Sequence, residues 1–186
     1  MSFSMAPVHA DRRKFWMRHA DYIVSLCNEG KTVAFVTLGD PGLFSSFEYV
    51  VGLVREIRPA TVIGIIPGIT SIAAATAALG ISLAQAEEGI TIQPCSRVLE
   101  REPAWWDNFD CIVIMKIGKR LPLLVERLKK AALVDRAVMV TRAGFKNCRI
   151  TRGNDLRNCT MEQGYLATVI VRPGGRPERK QKGSNI

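Results

Sequence analysis

Two hydrophobic periods alternate along the chain, and they predict a run of helices and strands. In residues 11–29, Phe15, Trp16, Ala20, Ile23 and Cys27 recur at helical spacing, with Asp11 placed to cap the start and Gly30 to end it. Residues 32–38 (TVAFVTL) are β-rich and apolar and predict a buried strand, followed by a turn at Gly39-Asp40-Pro41. Residues 46–57 predict a helix that Pro59 stops. Residues 61–66 predict a second buried strand ending at Pro67-Gly68, and residues 70–79 a helix of small residues closed by Gly80. Strands are predicted at 89–94, 111–115 (CIVIM), 137–141 and 166–171. Between them, residues 119–132 predict an amphipathic helix with Leu121, Leu124, Val125 and Leu128 inward. After Thr141 the pattern is less regular, and no internal repeat appears. Strands apolar on both faces and alternating with helices predict an α/β fold whose sheets are covered by helices.

Composition is compatible with that core and narrows the class. The 186 residues are 47% apolar and 23% charged, enough for one large domain or two small ones. Five cysteines without a CxxC pair, and only two histidines, exclude a disulfide framework or a metal-rich protein. Scattered thiols are expected to be reduced packing residues of a cytoplasmic protein, and no metal is expected. Residues 1–10 lack the pattern of a signal peptide. Residues 59–86 are uncharged and long enough to span a bilayer, but Pro67-Gly68 and the polar Thr70, Ser71, Thr76, Ser82 and Gln85 read better as strand, turn and helix, so no membrane is expected.

Charge is unevenly placed. The net charge is +9; residues 1–57 cancel, with six basic and six acidic side chains, whereas residues 116–157 hold twelve Lys/Arg against Glu126, Asp135 and Asp155. Residues 172–186 add five basic residues against Glu178 and predict a solvated, disordered tail from residue 173. Such a field attracts polyanions. Nucleic-acid binding is the weaker reading, because aromatics are few and no recognised nucleic-acid motif occurs. A solvated helix face at Lys129 and Lys130 accounts for part of the cluster.

In open α/β sheets ligands bind beyond the carboxyl ends of strands, and four turns lie there. Leu38-Gly39-Asp40-Pro41 offers close backbone approach, an acceptor and a rigid bend; Pro67-Gly68-Ile69-Thr70-Ser71 offers hydroxyls and N–H groups at a helix start. Met115-Lys116-Ile117-Gly118 and Thr141-Arg142-Ala143-Gly144 follow the later strands. Each turn alone is an ordinary connection; four in this order are more specific.

LGDPGLFSSFEYV, PGITS, MKIGK, TRAG and ATVIV together resemble the tetrapyrrole methylases, S-adenosylmethionine-dependent enzymes that modify the corrin and sirohaem ring. The resemblance covers roughly residues 10–172 and looks most like the subfamily acting at carbon 20 of precorrin-2 or cobalt-factor II. It implies a two-domain class III methyltransferase fold, here with its N-terminal domain truncated: 1–67 as the remainder of that domain and 68–172 as the C-terminal domain. It implies cofactor contacts at Leu38, Gly39, Asp40, Leu43, Thr70, Ser71, Met115, Ala143, Gly144, Ala167 and Thr168, and a homodimer. A carboxylate-edged macrocycle would give Lys116, Lys119, Arg120 and Arg142 a partner through charge-assisted hydrogen bonds. Trp105-Trp106 could stack on the ring, although packing is the plainer reading. His9 and His19 read as surface or packing residues, and no general base is named.

The family's first strand and its Gly-Pro-Gly-type loop have no counterpart before Asp11. Residues 1–67 are therefore expected to expose an unpaired edge and an uncovered apolar face. The alternative reading is a non-catalytic fragment or interaction module of the same fold, or a methylase of a neighbouring tetrapyrrole.

Overall fold

In the computed structural model, residues 9–175 are described, with side chains from Arg12 onward. The first helix, α1, is His9–Asn28. Asp11 therefore sits inside the first turn and does not precede it; its side chain and that of His9 lie outside the described residues, as does the tail from Arg176. Trp16, Ala20 and Val24 recur every fourth residue, so they share one face, and they are buried against Val50, Leu53 and Val54 of α2, Phe47–Ile57. His19 packs edge-on against Phe15, with ring centroids 4.4 Å apart. The chain divides into two compact units between Thr70 and Ser71.

The first unit departs from the predicted buried strands. Residues 32–38 and 61–66 join no sheet among the described residues. Their side chains still alternate. Phe35 and Ile63 pack against the α1–α2 core, whereas Val36 is 86% exposed and Val62 97% exposed. An apolar run is buried on both sides only if a second layer covers it, and here the helices cover one side. The exposed row continues through Leu38, Ile65, Ile66 and Ile69, which is the uncovered face expected from the sequence.

The second unit contains the sheet. Helix α3, Ser71–Leu79, precedes β1, Ile90–Pro94. Helix α4, Cys95–Leu99, and a 3₁₀ turn, Pro103–Asn108, lead to β2, Cys111–Met115. A second 3₁₀ turn, Gly118–Arg120, opens into α5, Leu121–Lys130. Then follow β3, Ala137–Thr141; β4, Arg149–Arg152; α6, Gly153–Arg157; a 3₁₀ turn, Met161–Gly164; and β5, Ala167–Val171. The strand order is β1-β2-β5-β3-β4, with β1 and β2 parallel and all other neighbours antiparallel. The predicted strands at 89–94, 111–115, 137–141 and 166–171 form within a residue. β4 was hidden because it is short, basic and exposed at three of its four positions.

Leu121, Leu124, Val125 and Leu128 of α5 are buried, as their spacing requires, in one core with Ile112, Ile114, Met139, Val169 and Val171. Trp106 belongs to that core at 2% exposure, and Trp105 lies edge-on to it at 5.6 Å, so packing accounts for the tryptophan pair. Arg172 is not part of a solvated tail. Its guanidinium donates to the carbonyls of Ser82 and Leu83 and pairs with Glu88 at 3.6 Å, fastening the 80–88 loop to the end of β5. Pro173 is buried too.

Leu124 reaches the core with no exposed surface. Leu124→Ala is expected to lower the unfolding free energy by about 2–5 kcal/mol, read in urea as an earlier midpoint at unchanged slope.

Candidate functional site

In the first unit, the site residues sit on two turns that touch. The loop after residue 37 is closed at its base by Thr37 Oγ1 and Ser45 Oγ, 3.2 Å apart, and Ser45 Oγ accepts the N–H of Phe47 at the start of α2. Inside it, the Asp40 carboxylate accepts twice. Its Oδ1 takes the N–H of Gly42 at 2.7 Å, an Asx-type turn, and its Oδ2 takes the N–H of Gly68, 28 residues on, at 2.8 Å. Gly39 has φ +85, a conformation glycine adopts without strain. At Gly68 a Cβ would overlap the Gly39 carbonyl, so the two turns approach to backbone contact only because that residue is glycine. Leu38, Gly39, Asp40 and Leu43 are thus brought beside Gly68–Thr70, and Leu38 and Ile69 stay exposed.

In the second unit, sheet topology groups the other residues named from the sequence. β2 and β3 point the same way and β5 the opposite way between them. The carboxyl ends of β2 and β3 and the amino end of β5 therefore share one rim. Met115 and Lys116, Arg142–Gly144, and Ala167 and Thr168 all lie there. Three residues on this rim other than glycine hold left-handed backbone: Lys116 at φ 53, Arg142 at φ 54 and Leu166 at φ 51. Each such residue costs on the order of 1 kcal/mol or more. Arg142 is held by its own N–H donating to the Leu166 carbonyl at 2.9 Å. Beside it, the 118–120 turn packs on the 161–164 turn so closely that a Cβ at Gly164 would overlap the Gly118 carbonyl. That contact fixes where Lys119 and Arg120 emerge.

The rim is cationic. Lys116, Lys119, Arg120 and Arg142 are exposed, and β4 adds Arg149 at the same end. Sequence reasoning missed Arg149 because nothing there showed that β4 would pair with β3. A cleft of about 330 Å³ lies beside it, lined by Arg149, Ile150, Thr151, Asp155, Asn158 and Gln163. Thr168 and Ala167 are both buried in the sheet. Ser71 opens α3 directly after Thr70.

These surfaces suit a ligand held by backbone and light apolar contact. In the first unit, Leu38 and Ile69 stand exposed on the two turns that meet at the Gly39–Gly68 backbone contact. In the second unit, the rim places the half-buried Met115 and Ala143 beside main-chain groups. Among the described residues no three His, Cys, Asp or Glu side chains could hold a metal ion, and no helix is long and apolar enough to cross a membrane.

All five cysteines are free. Burial pushes the Cys95 thiol up from 9.0 to about 11, with the positive charge of Arg120 pulling the other way. Burial also raises Cys159, Asp155 adds to the rise, and Arg149 opposes it. Only the thiolate reacts, so Cys95 is expected to resist alkylation at pH 8 until the protein unfolds. Its raised value makes the native state favour the neutral thiol. That contribution to stability is complete below pH 9 and is lost as pH rises toward 11. Urea midpoints measured across this window, compared with those of Cys95→Ala, check the sign.

The model of the tetrapyrrole (corrin/porphyrin) methylases matches residues 1–155. A Methanocaldococcus jannaschii protein named "Probable cobalt-precorrin-2 C(20)-methyltransferase" is 33% identical over 163 residues, 86% of this chain and 66% of its own length. The cobalt-precorrin-2 C(20)-methyltransferase of Salmonella typhimurium is 27% identical over 91% of this chain and 70% of its own. The chain thus spans about two thirds of the length of these relatives. Among solved structures, the cobalt precorrin-4 methyltransferase CbiF superposes with a TM-score of 0.67 at 20% identity, over 91% of this chain and 73% of that one. A uroporphyrin-III C-methyl transferase from Thermus thermophilus, complexed with S-adenosyl homocysteine, gives 0.54 at 19% identity, over 88% and 73%. These likenesses carry the fold.

Proposed function

The chain belongs to the tetrapyrrole (corrin/porphyrin) methylases, and from that premise we propose that it serves methyl transfer from S-adenosylmethionine to carbon 20 of precorrin-2 or its cobalt complex. The observation that carries the reading is the sheet rim, where a single topological constraint brings the main-chain turns of β2, β3 and β5 together with a band of exposed cations. The names of the relatives support carbon 20 as the position modified.

S-adenosylmethionine supplies a methyl group already activated by its sulfonium. The protein's task is to hold two molecules in register. On this reading Leu38, Gly39, Asp40, Leu43, Thr70, Ser71, Met115, Ala143, Gly144, Ala167 and Thr168 serve the cofactor. Lys116, Lys119, Arg120 and Arg142 meet the acetate and propionate groups of the ring. No side chain needs to act as a nucleophile, because the attacking carbon belongs to the substrate. A homodimer in the cytoplasm is the setting this reading expects. An interaction module without catalysis is the second reading. The exposed row from Val36 to Ile69 favours it, because that face calls for a cover.

Titration calorimetry with S-adenosylhomocysteine separates the two. The methylase reading expects saturable binding with one site per chain; a folded chain that gives no heat supports the interaction module. Charge reversal at Lys119 together with Arg120 is expected to weaken tetrapyrrole binding about tenfold or more and to leave S-adenosylhomocysteine affinity within about twofold. Equal loss of both would point to misfolding.

The strained rim gives a sharper case. Arg142→Gly relieves the left-handed cost, so it is expected to stabilise the protein by up to about 1 kcal/mol while weakening the macrocycle. Thermal melting and substrate titration on the same sample read the two effects together.

A further inference from the structure

The resemblance assigns Asp40 to contact with the cofactor. The geometry points to a different role: we infer that Asp40 is a positioning residue, whose carboxylate pins the 67–70 turn onto the 39–42 turn and so makes one ligand-facing surface from two separate loops. The inference rests on the cofactor reading of these turns and says how they are held.

Three observations carry it. First, each carboxylate oxygen is already engaged by a backbone N–H, Gly42 at 2.7 Å on one and Gly68 at 2.8 Å on the other. These are charge-assisted bonds, shorter and stronger than neutral ones. Second, only one of them is local. The Gly42 bond shapes the turn around Asp40 itself, whereas the Gly68 bond crosses 28 residues. It ties the second turn to the first through a side chain. Third, the turns meet with no side chain between them, since a Cβ on Gly68 would overlap Gly39. Close backbone contact without interlocking side chains offers little packing to set the spacing, so a directional bond must set it. The loop that presents the carboxylate is braced independently by Thr37 and Ser45, and Leu43 N–H donates to the Asp40 carbonyl at 3.4 Å. The pin therefore has a firm anchor on one side and a segment without sheet partners on the other.

Three variants of the full chain test this, read by the amide resonance and hydrogen exchange of Gly68 and by S-adenosylhomocysteine calorimetry. Asp40→Asn presents an NH₂ where one N–H needs an acceptor. Asp40→Ser retains a hydroxyl for the local turn but cannot reach Gly68, which covers the case in which the asparagine variant does not fold. Gly68→Ala keeps the carboxylate and wedges the turns apart. Loss of the pin should shift the Gly68 amide upfield, speed its exchange about tenfold, and weaken S-adenosylhomocysteine about tenfold. The Gly42 amide should stay protected in Asp40→Ser. Because both routes break one junction, Asp40→Ser combined with Gly68→Ala should bind no worse than the weaker single variant, within about threefold.

Affinity lost while the Gly68 amide is unmoved, or losses that multiply in the double variant, would overturn the proposal and make Asp40 a direct contact. Wild-type protein that is folded but binds no S-adenosylhomocysteine would refute the cofactor reading instead. In that case Gly68 exchange in Asp40→Ser still decides the pin: speeded exchange upholds it and unchanged exchange rejects it.

Discussion

The hydrogen-bond ladder on β5 is the constraint from which most of the second unit follows. All five of its residues are buried, and it is paired on both edges, with β2 and with β3. A strand in that position has no freedom of register, because a slip of one residue would turn its apolar side chains to the wrong faces. With the register fixed, two turns that are 26 residues apart in sequence, at Lys116 and Arg142, are held on one rim with the start of β5 between them. The rim is thus a product of strand direction, and the turns on it are brought together by the sheet itself.

The rim also concentrates strain. Of the six residues other than glycine with positive φ among the described residues, Lys116, Arg142 and Leu166 are on it. The interior of the sheet supplies the compensation: β2, β3 and β5 are almost entirely buried, and α5 closes one face with four buried apolar residues. Strained ends on a well-packed ladder set the direction in which the Cα–Cβ bonds of Lys116 and Arg142 leave the rim.

How much of this could be read from sequence differs between the units for a physical reason. Leu121, Leu124, Val125 and Leu128 announce α5 because a helix packed on one side leaves a periodic trace. CIVIM and ATVIV announce central strands because burial on both faces leaves a continuous one. TVAFVTL looks the same as CIVIM, yet Val36 is exposed. Composition records what a segment is able to bury, whereas burial itself depends on a second layer that the segment does not encode. Of the site, the turns were legible through Gly, Pro and Asp. The Asp40–Gly68 bond was not, since a contact across 28 residues has no local signature. Arg149 escaped because its placement depends on pairing, and the role of Arg172 escaped because its carbonyl partners at Ser82 and Leu83 lie about 90 residues away.

The exposed row at Val36, Leu38, Val62 and Ile66 shares the molecule with a net charge of +9. At low ionic strength mutual repulsion between chains holds those rows apart. The screening length is about 10 Å at 0.1 M salt, roughly the scale on which two such faces would have to approach. Raising salt therefore removes the barrier while leaving the attraction intact, and sulfate strengthens that attraction further. Self-association of this protein is thus expected to follow a contest between exposed aliphatic surface and net positive charge.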